Sequence, residues 1–261
     1  MQTLTIERDG QGITRVVLAR TARLNAFDEV MIAELSETFG SLSADANTRC
    51  VVLTGEGRSF CAGADIHWMR RQSEQTFEQN LADSRAFAEM LRLIDECTKP
   101  TLAAVNGDAY GGGVGLIAAA DLAVSVSSAQ FAISEARFGI LPAVIGPYIT
   151  RAMGVRQAKR LALTTLPFSA SEALGWGLIH EVVVSHQLDA AVQRLTHRLL
   201  QSGPAALTEV KTLYRRLEGA PINAELRELT AATNARVRAT NEAREGFAAF
   251  LSKRSPAWVK E

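Results

Sequence analysis

The chain has 261 residues, 47% apolar and 21% charged, with 28 basic and 28 acidic side chains, enough for one large domain or a domain with an appendage and a sizeable core. A net charge of zero argues against nucleic acid or a membrane surface as an electrostatic partner. Three cysteines without a CxxC pattern argue against a disulfide framework and a zinc site, and fit a reducing, cytoplasmic compartment.

The N-terminus, MQTLTIERDG, is charged and alternating, so it reads as a strand and not as a signal peptide. Leu4–Arg8 and Ile13–Ala19 alternate around Asp9-Gly10, which predicts a β-hairpin. Thr21–Phe27 (TARLNAF) is a loop. Asp28 is placed to cap a helix in which Met31, Leu35 and Phe39 recur at helical spacing. Cys50–Thr54 is a buried strand, and Gly55–Asp65 (GEGRSFCAGAD) is a glycine-rich loop after it. Loops after buried strands are where ligands meet open α/β sheets. Residues 66–98 read as a mobile polar segment followed by a helix through Phe87, Met90, Leu91 and Ile94. No run approaches the ~18 uninterrupted apolar residues of a membrane span.

The densest signal runs from Pro100 to Pro142. An apolar strand, Thr101–Val105, ends in Asn106-Gly107. Gly111, Gly112 and Gly113 then open a buried Ala-rich helix over Val114–Ala120, and Leu122–Ser125 is a second strand. Strand, glycine turn, helix and strand make a crossover unit. Glycines let the backbone approach a ligand closely, and the unpaired amides at the helix start suit a phosphate or a developing oxyanion. The same glycines also fit a plain strand-to-helix turn. Ala129–Ile133 follows, then Glu135. The apolar neighbours Phe131, Ile133, Phe138 and Ile140 would desolvate Glu135 and raise its pKa toward that of a general acid or base. An N-cap or a salt bridge to Arg137 is its structural alternative.

After Pro142, Pro147–Met153 and Arg156–Leu163 read as short helices. Ser169–Gly175 is a helix with Ser169 as N-cap and Glu172 in capping-box position. Leu178–Val184 is a last strand, and Leu188–Leu200, Pro204–Leu217 and Ala224–Leu251 are amphipathic helices. The order predicts a layered α/β core with a helical C-terminal part.

Four pieces, TARLNAF, SFCAGAD, NGDAYGGGVGL and SEARFGILP, stand in one order and are followed by FLSKRSPAW. The set resembles the crotonase superfamily of enoyl-CoA hydratases and isomerases over essentially the whole chain. The resemblance implies a crotonase-like spiral of ββα units with two near-perpendicular sheets over residues 1–200. It further implies a helical trimerisation region over 201–261 and a homotrimer or dimer of trimers. It implies an acyl-CoA thioester as substrate, with no other cofactor and no metal. The backbone amides of Ala64 and Gly112 would hold the enolate oxygen, and Glu135 would move the proton. Arg23, Leu24, Ala62, Asp65, Ile66 and His67 would line the CoA site, and Phe250 and Lys253 match positions that reach a neighbouring subunit's CoA.

Typical hydratases of the family carry an earlier glutamate where this chain has Gly115. The sequence is most similar to a bacterial branch of methylglutaconyl-CoA and carboxygeranoyl-CoA hydratases, of leucine and acyclic-terpene breakdown, which departs in a similar way. That resemblance implies water addition to a branched, dicarboxylic enoyl-CoA, with Δ3–Δ2 isomerisation by Glu135 alone or non-catalytic acyl-CoA binding as alternatives. A distal carboxylate would need a cation. Arg137, Arg70, Arg71 and His67 are the nearest by motif. His67, Tyr110 and Tyr148 are the side chains considered for the missing polar group.

Overall fold

The computed structural model describes residues 1–259; Lys260 and Glu261, the end of the expected helical region, lie outside the described residues. Strands β1 (Leu4–Arg8) and β2 (Ile13–Leu18) form the expected antiparallel hairpin, with Leu4 opposite Leu18 and Arg8 opposite Thr14. The Asp9 carboxylate holds its turn by accepting from the amides of Gln11, Gly12 and Ile13. Asp28 caps α1 (Glu29–Ala44) by accepting from the Met31 amide, and the helix buries Met31, Leu35 and Phe39 as their spacing requires.

The core then repeats one pattern. Strand β3 (Cys50–Gly55) is followed by β4 (Ser59–Cys61) and helices α2 (Ile66–Gln72) and α3 (Phe77–Asp95). Strand β5 (Thr101–Val105) is followed by β6 (Asp108–Tyr110) and α4 (Gly112–Ala119). Strand β7 (Leu122–Val126) is followed by β8 (Gln130–Ala132), a 3-10 turn at Glu135–Phe138, and α5 (Gly146–Met153). In each ββα unit the first strand enters a large sheet and the second a small one. With β9 (Phe168–Ser169) and β10 (Glu181–Val183), the large sheet runs β1-β2-β3-β5-β7-β10 and the small one β4-β6-β8-β9.

Three expectations are corrected here. Gly55–Asp65 is not all loop, because Ser59, Phe60 and Cys61 are 7%, 0% and 0% exposed and pair with β6. Residues 66–98 hold two helices and not a mobile segment ahead of one, because Thr76 and Gln79 form a capping box that starts α3 early. Ala224–Leu251 is two helices, α10 (Ala224–Arg238) and α11 (Asn241–Leu251), since Thr240 caps the second by accepting from Ala243 N–H. The remaining helices, α6 (Val155–Thr164), α7 (Ala170–Gly175), α8 (Leu188–Leu200) and α9 (Pro204–Leu217), fall where the pattern put them. The last strand is shorter than expected because the Leu178 and Ile179 N–H groups both donate to the Ala173 carbonyl of α7 and not to a neighbouring strand.

All three cysteines are free and buried, and burial pushes the Cys50 and Cys61 thiols up to about 12, which makes them inert. No described helix is long and apolar enough to cross a membrane.

One buried side chain joins the 20–27 loop to the core. The Asn25 amide donates to the carbonyls of Glu56 and Ser59, at 2.9 and 2.8 Å, and its oxygen accepts from Arg20 N–H. Asn25 is fully buried and sits at φ +56, in the left-handed region that asparagine tolerates. Asn25→Ala strands three backbone groups, and is expected to cost about 2–3 kcal/mol. Urea unfolding should report this as a lower midpoint at an unchanged slope.

Candidate active site

Strands β4, β6 and β8 lie side by side and parallel in the small sheet. Their C-terminal ends therefore share one edge. Ala64, Gly112 and Glu135 each follow one of these ends within three residues. Topology alone brings the three together.

The Ala62–Asp65 segment is docked on the 24–27 loop. Ala62 N–H donates to Leu24, Phe27 N–H to Gly63, and Asp65 N–H to Phe27, at 3.0, 2.8 and 2.8 Å. Bonds on either side of Ala64 turn its own N–H the other way, as in any extended ladder. Among the described residues that N–H has no acceptor. Asp65 fixes the segment from below: it caps α2 by accepting from His67 and Trp68 N–H, and pairs with Arg20 at 3.0 Å. These contacts hold its carboxylate below the ordinary Asp value against the opposing effect of burial. Asp65, expected at the CoA site, thus spends its carboxylate on the loop.

Gly112 starts α4, whose N-terminus has no side-chain cap; among the described residues the Gly112 N–H has no acceptor, so it and the positive end of the helix dipole are available to a ligand. The helix can come this close only because its glycines lack Cβ. A Cβ on Gly112 would stand 2.3 Å from the Phe27 ring, and one on Gly113 2.4 Å from the Cys61 carbonyl oxygen. Gly111, at φ +49, would place its Cβ 2.8 Å from Glu135 Oε1.

That last contact locates the acid beside the amides. Glu135 makes no ion pair, with Arg137 or any other described cation, and its buried Oε2 has no hydrogen-bond partner. Burial raises its pKa above the ordinary Glu value, and hydrogen bonds from its own and Ser134's N–H only partly oppose this. Of the four apolar neighbours expected to desolvate it, Phe138 and Ile140 line the cavity, while Phe131 and Ile133 lie in the core.

Ala64, Gly112 and Glu135 all border one cavity of about 760 Å³. Ala62 and Ile66 line it too. Arg23 and His67 sit outside the lining, exposed, with Arg23 Nη1 3.0 Å from His67 Nε2. Leu24 is half-buried, at φ +52, and holds the Ala62 amide. Phe250 is 82% exposed and Lys253 follows α11; neither borders the cavity of its own chain. Arg70, Arg71 and Arg137 are not in the lining either, and Arg71 pairs with Glu29. Of the two tyrosines considered, Tyr110 lines the cavity with its hydroxyl donating to Asp108, and Tyr148 does not line it. Among the described residues no group of three His, Cys, Asp or Glu side chains is placed to hold a metal.

Two site residues escaped the sequence reading. Phe27, inside TARLNAF, is the wall against which Gly112 closes. Ile145, 1% exposed, fills the space beside Gly115: a Cβ there would stand 2.3 Å from Ile145 Cγ2. A small residue at Gly115 paired with a bulky one thirty positions on is the signal, but it is readable only once the two are known to touch.

Residues 8–261 match the family described as enoyl-CoA hydratase/isomerase. A solved enoyl-CoA hydratase from Shewanella pealeana is 40% identical and superposes with a TM-score of 0.95, covering 98% of this chain and 96% of that one. The 1,2-epoxyphenylacetyl-CoA isomerase of Escherichia coli is 31% identical over 95% of both chains. A carnitinyl-CoA dehydratase of Salmonella enteritidis is 31% identical over 98% of both.

The raised Glu135 pKa has a thermodynamic signature. The folded state holds that proton more tightly, so stability falls as pH rises from the ordinary value of 4.5 through the folded value, and stays lower above it. Glu135→Gln removes the buried charge. Its melting temperature is expected to exceed the parent's at pH 8, and the gap to close at about pH 4, where the carboxyl is protonated in both states. A gap of equal size at both pH values would refute a buried charged carboxylate.

Proposed function

Because the chain belongs to the enoyl-CoA hydratase/isomerase family and is an enzyme of the enoyl-CoA hydratase type, we propose that it adds water across the 2,3 double bond of an enoyl-CoA with Glu135 as the one acid–base group. The observation that carries this reading is a buried Glu135 oxygen close to the start of α4, where it and the Ala64 and Gly112 N–H groups have no hydrogen-bond partner among the described residues.

The thioester oxygen accepts from the Ala64 and Gly112 N–H groups. The Glu135 carboxylate takes a proton from water as the water oxygen bonds to C3. The electrons of the double bond move onto the thioester oxygen as an enolate. The carbonyl then re-forms as C2 takes the same proton back from Glu135. The carboxylate gains one proton and gives it back over the cycle, so the scheme needs no second acid. Each oxyanion donor is typically worth about 3–4 kcal/mol of barrier. No cofactor enters the scheme; CoA arrives as part of the substrate.

A second reading is favoured by Ile145. It puts hydrocarbon where an acid would orient water, and a dry wall suits proton transfer from C4 to C2 by Glu135, which is Δ3–Δ2 isomerisation. Among the described residues no Lys, Arg or His lines the cavity to meet a distal carboxylate such as that of 3-methylglutaconyl-CoA. The reading therefore narrows to enoyl groups without one. For the assembly we propose a homotrimer or dimer of trimers built on the 201–261 region, supported by Phe250, Leu251 and Ile222 at 82%, 80% and 84% exposure. Phe250 and Lys253 would there meet a neighbour's CoA, whose own-chain contacts are Arg23, Leu24, Ala62, Asp65, Ile66 and His67.

Incubation with 2-hexenoyl-CoA, 3-hexenoyl-CoA and 3-methylglutaconyl-CoA, read by mass and chromatography, tests the proposal. We expect a gain of one water on 2-hexenoyl-CoA, slowed about 10²- to 10⁴-fold by Glu135→Gln. An isobaric product from 3-hexenoyl-CoA alone would select the isomerase, and no product from any of the three would overturn both.

A further inference from the structure

Helix α3 changes character along one face. Phe87, Met90, Leu91 and Ile94 continue the apolar stripe into the core, where the last three are fully buried. One and two turns earlier the same face carries Asn80, Asp83 and Ser84, at i, i+3, i+4 and i+7 counting to Phe87. All four line the active-site cavity. The stripe turns polar where it leaves the core and meets the cavity.

Asp83 is the singular member. Among the described residues Asp83 and Glu135 are the two carboxylates in the lining, and no Lys, Arg or His accompanies them there. It is half-buried, makes no ion pair among the described residues, and accepts one long bond of 3.3 Å from Gln72 Nε2. The neighbouring carboxylates behave otherwise: Glu29 pairs with Arg71, and Glu89 with Arg92. Asp83 and Trp68 both line this cavity with Phe87, one turn on from Asp83, and Trp68 and Phe87 pack on the Phe27 ring at 6.1 and 4.9 Å between centroids. The wall beside it is thus aromatic.

We infer that Asp83 is a specificity-determining residue that selects acyl groups bearing a hydrogen-bond donor, a hydroxyl or an ammonium, at the end remote from the thioester. The inference rests on the enoyl-CoA reading above and deepens it. A partly desolvated carboxylate with one weak partner gains most from a donor brought by the substrate. A carboxylate tail in the same place meets a like charge with no cation to offset it. The aromatic wall accommodates the methylene stem of either donor and the face of an ammonium.

The test compares kcat/KM for four 2-enoyl-CoA thioesters of one chain length, ending in methyl, hydroxyl, ammonium or carboxylate. The methyl-ended compound reports on the enzyme reading itself. We expect one or both donor-ended compounds to exceed the methyl-ended one by about 10- to 100-fold, as for a hydrogen bond to a charged group, and the carboxylate to fall below it. The hydroxyl and ammonium arms say which donor is used. Asp83→Asn, nearly isosteric, should shrink the donor preference about tenfold or more, and Asp83→Lys should invert the order in favour of the carboxylate. Equal values for all four tails, with the methyl-ended compound turned over, would overturn this inference and leave the enzyme reading standing. Should none be turned over, that reading falls, and calorimetric Kd values for the four saturated thioesters decide the role of Asp83 by the same order.

Discussion

The close approach of the α4 N-terminus to three other segments is the constraint on which the site depends. Gly111 meets the Glu135 carboxylate, Gly112 the Phe27 ring, Gly113 the Cys61 carbonyl and Gly115 the Ile145 side chain. Each contact is closer than any Cβ would allow. Together they put the amide end of a wholly buried helix beside the end of β4 and the turn after β8. Gly in a helix interior is unfavourable by roughly 0.5–1 kcal/mol relative to Ala. The alternative here is worse, since any side chain would push the helix away from the small sheet and separate its N-terminus from the acid.

The same approach sets the electrostatics. The helix dipole and two unpaired amides favour negative charge on a ligand oxygen, whereas the Glu135 carboxyl is placed where burial disfavours its own ionisation. The site holds two donors and one acceptor without protein partners among the described residues, in a largely apolar wall. A thioester whose oxygen accepts from the amides, and whose α-carbon exchanges a proton with the acid, satisfies all of them together. Asn25, Asp65 and Arg20 hold the loops that keep these groups in place, and under the proposed function the substrate would satisfy them.

Much of this was legible in the chain. Long periodic segments such as α1, α8 and α9 announced themselves, and so did the capped α7, because their signals are local. Glu135 and the glycine-opened helix stood out from their own neighbours, but that Ala64, Gly112 and Glu135 meet was expected only from an ordered set of motifs, for nothing in those neighbours says that β4, β6 and β8 are adjacent. Three-residue strands carry no readable period; β4 hides in a glycine loop and β6 between two glycine turns. Asp65 looked like a ligand contact because a terminal acid in a loop and a helix N-cap have the same appearance in sequence. The salt bridge offered as the alternative role of Glu135 fails because Arg137 lies two residues on in a 3-10 turn, and the turn carries it away to solvent.

Gly115 is the instructive case. Read alone it is a loss, a missing acid. In the folded chain it is half of a contact, since Ile145 occupies the volume that any side chain at 115 would need. The pair acts on Glu135 as well as on water. A carboxylate at 115 would add a like charge and bring solvation into the cavity, whereas an isoleucine excludes water and adds hydrocarbon. Both changes make the cavity a less polar place for the one acid that remains. A single acid must remove a proton and then return it, which works best when neither state is strongly favoured at the working pH. Losing one glutamate and gaining an apolar wall are then a single adjustment, made by two residues thirty positions apart that meet beside the active-site helix.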